Sequence, residues 1–212
     1  MPGSGSKLHY FQALGSSPQA PRTSLIMELH RISPAATKSQ HKIVTTIDQA
    51  LVDQKAQDAR ASQRQREIHV LHTGDEDTLQ RMLNAFQPGS YVAPHRHISV
   101  PKAEAVVVLQ GSLGFVYFDE DGSYQEENFF LIDPKKGIHG IDYRAKVWHT
   151  FFALEPDTVV FEVKPGPYDA ATDKEFASWA PKEGEEKALP YLIKLEDHFR
   201  QHFQLPTRIW NE

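Results

Sequence analysis

Four side chains in the middle of the chain are of the right types to share one divalent ion. His95 and His97 stand two residues apart in PGSYVAPHRHISVPKAEAVVVLQG. On an extended strand that spacing puts both imidazoles on one face. Glu104 opens the next apolar run, so a neighbouring strand can aim its carboxylate at the same point. His149, in KVWHTFF, is flanked by large apolar residues of a later strand candidate. A barrel can bring such a strand round to the same interior. Neutral imidazole and carboxylate suit iron, zinc, manganese, nickel or cobalt. Three histidines and one glutamate would leave one or two positions for water or substrate, as in sites that do chemistry rather than closed structural ones. A single histidine in a barrel is more often a core or surface residue than a ligand, so the weight rests on the combination.

Composition narrows the alternatives. The 212 residues include no cysteine, which removes disulfides, thiolate nucleophiles and thiolate ligands together. A reducing, cytoplasmic location is compatible with that. The net charge of -5 gives no reason to expect nucleic acid or an anionic membrane surface as partner. No apolar run approaches the length of a membrane span. Expected partners are therefore a small-molecule ligand, with no nucleic acid and no membrane.

The elements that must position the four residues are short strands. TLQRMLNAF, AEAVVVLQ, LGFVYFDE, YQEENFFLI, GIHGIDY, VWHTFFAL and TVVFEVK are separated by turn signals such as PGS, QGS, DEDG, DPKKG and EPD. That spacing predicts an antiparallel sandwich or barrel. The DEDG at 119–122 should place strand 113–118 beside strand 123–132. Upstream, Thr46 with Gln49 fits a capping box that opens a helix through TTIDQALVDQKAQDARAS. Downstream, Leu192, Leu195, Phe199 and Phe203 recur at three- and four-residue steps, an amphipathic helix whose stripe should pack on the barrel or on a second subunit. The expected organisation is a mobile N-terminal arm over 1–40, a helical lead-in over 41–75, a barrel over 76–166, and a C-terminal loop and helix over 167–212.

Gly89 lies six residues before His95, and Gly111 seven after Glu104. The segment thereby resembles the first motif of the cupin superfamily, G-x(5)-H-x-H-x(3,4)-E-x(6)-G. It departs in having six residues between His97 and Glu104. Around His149, Arg144, Lys146 and Ala153 replace the Pro, Gly and Asn of the second motif. PGSYVAPHRH, PKAE, FDEDG, VWHT and the tail EVKPGPYDAATDKEFASWAPKEG are similar to the WbuC family of cupin-fold metalloproteins, over about Thr46 to Glu183. That resemblance implies a mainly β protein: a cupin-type antiparallel β-barrel, or jelly roll, with flanking N- and C-terminal helices. It further implies one divalent metal (iron, zinc, manganese or nickel) on His95, His97, Glu104 and His149, and an association with surface polysaccharide. Analogy of fold adds a homodimer.

The functional expectation is a metal-dependent enzyme acting on a small polar, sugar-related molecule, as an isomerase, epimerase or oxygenase. The alternative is a non-catalytic metal-dependent module that binds or senses carbohydrate. A metal-free, epimerase-like cupin is disfavoured by the converging ligands. Catalytic residues are not identified by the sequence; Tyr91 and Tyr117 are candidates for hydroxyls facing a ligand. Lys102 reads as a solvated loop lysine near the mouth, Asp173 as a turn residue, and Arg96 as pointing to the opposite face of the strand.

Overall fold

Each of the seven β-rich runs contains a strand, because each alternates bulky apolar residues between turn residues that cannot continue a ladder. The structure, a computed structural model, describes residues 29–40, 43–98 and 101–210. Twelve strands and two α-helices are described. The strands are β1 (His30–Ser33), β2 (Ala36–Lys38), β3 (Arg66–Val70), β4 (Leu79–Phe86), β5 (His95–Arg96), β6 (Glu104–Gln110), β7 (Leu113–Phe118), β8 (Phe129–Ile132), β9 (Gly140–Tyr143), β10 (Trp148–Ala153), β11 (Thr158–Pro165) and β12 (Glu175–Phe176). The helices are α1 (Gln49–Ala61) and α2 (Ala188–His202).

Two sheets face one another. The larger runs β1-β2-β3-β4-β11-β6-β9, the smaller β12-β5-β10-β7-β8, and every pairing but β2 with β3 is antiparallel. This is the expected mainly β, cupin-type barrel. Its interior is filled from both sheets: Phe86, Val106, Val108 and Val160 from the larger meet Leu113, Phe115, Ile132, Phe151 and Ala153 from the smaller. The opposite faces are apolar too. Val116, Phe118, Phe129, Trp148 and Phe152 turn outward and are covered by Leu192, Leu195 and Phe199 of α2. On the other side, Leu51, Val52, Ala56 and Ala59 of α1 cover Leu83, Ala85 and Val159.

Local chemistry explains the joints. Gly111 turns the chain from β6 to β7 with φ 78°, where a Cβ would collide with Thr158. Only glycine adopts that backbone without strain. Helix α1 begins later than the capping box implied: Asp48, not Thr46, is the N-cap, and its carboxylate accepts from Leu51 N at 3.0 Å. Asp is the stronger cap, so it sets the start. The 119–122 turn does bring β7 against β8, but residues 126–128 form a 3-10 turn before β8 begins. The segments expected as arm and helical lead-in also carry strands: β1 and β2 pair with each other, and β2 with β3. The arm's residues 1–28 lie outside the described residues. Among the described residues no helix is long and apolar enough to cross a membrane.

Candidate metal centre

Below the apolar filling, the barrel interior turns polar. Strand parity decides which side chains enter it. In β11, Val160 points inward, and so do Glu162 and Lys164 two and four residues on. In β10 the same alternation sends His149 inward with Phe151. His149 lies opposite His95 on β5 and opposite Tyr117 on β7, while Glu104 on β6 lies opposite Tyr143 on β9. Pairing thus collects residues far apart in sequence.

His95, His97, Glu104 and His149 come together, each at most 3% exposed. The His95 ring centre is 4.4 Å from that of His149 and 5.5 Å from that of His97. Glu104 spans the other two: Oε1 is 3.1 Å from His97 Nε2, and Oε2 is 3.3 Å from His149 Nε2. Each imidazole is anchored through its other nitrogen. Nδ1 of His95 donates to Ala93 O at 3.0 Å, Nδ1 of His149 to Val147 O at 3.0 Å, and Nδ1 of His97 to Asp173 O. A carbonyl oxygen only accepts, so Nδ1 carries a proton, and in the neutral ring Nε2 keeps its lone pair. Metal-binding histidines are held in this way.

The consequence is clearest at His97. Its Nε2 is buried and has no hydrogen-bond partner, although a carboxylate oxygen lies 3.1 Å away. With the His97 ring neutral, two acceptors face each other, an arrangement that a cation resolves. Ligands about 2.1 Å from one ion and at right angles lie about 3 Å apart, close to both Glu104 contacts. The donor chemistry therefore fits a divalent ion. As the four stand, among the described residues no group of three or more His, Asp or Glu forms a ready-made shell; the side chains touch one another instead.

Electrostatics sustain the arrangement. Burial, helped by the charge of Lys174, pushes His95 well below its usual pKa. Burial alone would raise the Glu104 carboxyl. The close contacts of His149 and His97, and the charge of Lys164, instead hold it well below the usual carboxylate range. Tyr143, which sequence reasoning did not single out, donates its hydroxyl proton to Glu104 Oε2 and lies 3.2 Å from His149 Nε2. Burial and then the charges of Glu104 and Glu162 raise its pKa far above normal, so it stays a phenol.

A charged network adjoins the cluster. Lys164 Nζ lies 3.5 Å from Glu104 Oε1, 3.6 Å from Glu162 Oε1 and 3.2 Å from Asp173 Oδ2. Lys102 departs from its reading as a solvated loop lysine. It is 2% exposed and donates to Asp173 Oδ1 at 2.5 Å and to Pro167 O at 2.8 Å. Asp173, expected in a turn, is buried, because the segment after β11 folds back across the site and pairs β12 with β5. The alternation of Glu162 and Lys164 with Val160 was a legible signal for two of these residues.

The tyrosines named from sequence part company. Tyr117 packs against the interior cluster and lines a cavity of about 760 Å³, whose wall also includes Phe115, Phe130, Tyr143 and Trp148. The four cluster residues do not line it, but Phe115 and Tyr143 touch both spaces, with ring centres 5.8 and 4.7 Å from His149. Tyr91 is not brought to the site: it packs against Tyr191, and its hydroxyl donates to Pro181 O at 2.7 Å. Arg96 points away, its guanidinium 4.2 Å over the Trp148 ring.

Residues 47–130 match a family model described as a domain of unknown function (DUF6016). No curated protein matches the chain. Among solved structures, the chain is similar to KdgF from a Halomonas species, at 18% identity over 50% of this chain and 82% of that one, with a TM-score of 0.38. It is also similar to a cupin-2 domain from Rhodospirillum rubrum, at 16% identity over 66% and 78%, with a TM-score of 0.40. A third is the capsular polysaccharide assembling protein CapF from Staphylococcus aureus, at 17% identity over 51% and 31%, with a TM-score of 0.40. The match spans about a third of the CapF chain's length.

Proposed function

We propose that this cupin-type protein binds one divalent metal ion through His95, His97, Glu104 and His149 and is an enzyme acting on a small polar, sugar-related molecule. The observation that carries the reading is the shared anchoring of three buried, clustered imidazoles by Nδ1, with Glu104 in contact with the Nε2 atoms of His97 and His149. Such an ion supplies Lewis-acid chemistry, polarising a carbonyl or hydroxyl of the substrate, or oxygen chemistry if it is iron.

The chain's own residues do the rest. The cavity beside Phe115, Tyr117 and Tyr143 admits the substrate, and its aromatic wall excludes water from one side. Tyr143 holds a proton at Glu104 and faces the cavity, so it can donate to, or orient, a ligand oxygen at the boundary between the two spaces. Tyr117 offers a second hydroxyl on the same wall. Asp173 and Lys102 fix the segment that anchors His97. Kinship with the WbuC family, assembly as a homodimer and a cytoplasmic location belong to the same proposal.

The test is elemental analysis of protein purified without chelators or a histidine tag, beside His97→Ala. About one ion per chain, lost in the variant, is expected. No metal in either protein after incubation with iron, zinc, manganese or nickel would overturn the reading.

A further inference from the structure

We propose that residues 169–176, in the segment that returns from β11 to β5, form a lid on the His97 side of the metal centre, latched by Lys102 on Asp173. The inference deepens the metal reading, on which its zinc test rests. His95, His97, Glu104 and His149 are each at most 3% exposed, and the cavity lined by Tyr117 and Tyr143 does not include them. An ion or ligand therefore reaches them only when an element beside them moves. The elements differ in how firmly they are held. β10 is joined to β7 over six residue pairs and β11 to β4 over eight, whereas β12 meets β5 over two, Glu175 with Arg96 and Phe176 with His95. Local opening draws on the most weakly held unit.

The segment is built to move as one piece. It is fixed at both ends. Gly166 N donates to Thr78 O at 2.9 Å and Tyr168 N to Asp75 O at 2.7 Å on one side, and Ala177 N to Pro94 O at 2.9 Å on the other. Between these points Asp169 braces the turn, its carbonyl accepting from Thr172 N and Asp173 N and its carboxylate from Ala171 N. Of the eight residues only Asp173 is buried, and Phe176 is 51% exposed, so little apolar surface resists lifting. What holds the segment is polar. Lys102 and Lys164 donate to the Asp173 carboxylate at 2.5 and 3.2 Å, and Arg96 donates to Glu175 at 2.6 Å. Lys102 also ties the latch to the hinge, through Pro167 O at 2.8 Å. The Asp173 carbonyl accepts from His97 Nδ1, so lifting the segment frees the His97 ring as well.

The chain has no cysteine, so a pair introduced at the contact of β5 with β12 makes a clean lock. Arg96→Cys with Glu175→Cys places two thiols on directly opposed residues, whose spacing suits a disulfide. Zinc release to excess chelator is compared between the oxidised protein and the same protein reduced and alkylated. We expect the lock to slow release roughly tenfold or more. Equal rates would overturn the lid and leave the metal reading intact. If neither form takes up zinc, the metal reading fails, and carbethoxylation of His95 and His97, read by peptide mass spectrometry, tests the lid alone. Slower modification in the locked form is then expected, and equal modification would overturn it. Where the double variant does not fold, Lys102→Met replaces it. Zinc release about tenfold faster than in the wild type is expected, with faster amide exchange confined to β12. An unchanged release rate, or faster exchange spread through β10 and β11, would overturn the proposal.

Discussion

At the scale of single residues, the decisive pair is His97 and Glu104. Burying two acceptors face to face costs free energy in the folded chain, and a cation turns that cost into binding energy. Ligand binding to the native state alone stabilises by about 2.7 kcal/mol at a hundredfold excess over Kd. We therefore expect the urea midpoint of the protein to rise on adding zinc, and the rise to vanish in His97→Ala. An equal rise in the variant would place the stabilising ion elsewhere. The residue scale also shows what sequence can and cannot convey. His95 and His97 are legible as a pair because strand parity is local. Tyr143 was not, because its place opposite Glu104 depends on the register between β6 and β9, which only the folded sheet sets. Asp173 was misread for the same reason: its burial comes from the return of the tail onto β5.

At the scale of elements, the amphipathic stripe of α2 was legible from its spacing, whereas the surface it covers was not. β7 and β10 are apolar on both faces, so alternation alone does not say which face is the interior. Phe115 and Phe151 fill the barrel, while Phe118 and Phe152 back onto the helix. Phe199 sits at that contact with no exposure, its ring 5.2 Å from Phe152 and 5.3 Å from Phe129. Phe199→Ala removes a large buried ring and leaves a cavity, a loss of about 3–5 kcal/mol. Urea denaturation should show it; a loss under about 1 kcal/mol would mean that α2 contributes little to folding stability. At the opposite surface, Asp48→Ala should cost about 1 kcal/mol by uncapping α1. The same denaturation measurement checks it, and an unchanged midpoint would return the cap to Thr46.

At the scale of the whole molecule, the barrel is closed by its ends as much as by its strands. The C-terminal segment crosses back to β3, where Arg66 bonds both Tyr91 O and Glu183, and Arg64 reaches Glu183 Oε2 at 3.0 Å. Burial would raise the Glu183 carboxyl, but the charges and hydrogen bonds of Arg66 and Arg64 hold it below its ordinary value of 4.5. A carboxyl whose folded pKa is depressed contributes stability above its unfolded pKa and loses it as pH falls through the folded one. Its partial exposure screens the effect, so the contribution is modest. Wild-type stability should therefore fall more steeply than that of Glu183→Gln between about pH 5 and pH 3, with the two curves converging at the acid end. Parallel curves from urea midpoints would show that the tail is held by its apolar contacts alone. In that case Arg66 would keep its bond to the Tyr91 carbonyl, and the ion pair would add nothing to folding. A steeper wild-type curve would mean that acid loosens the tail from β3. Because the same tail carries the Asp173 carbonyl that anchors His97, acid would then reach the candidate metal centre through the fold as well as through its imidazoles.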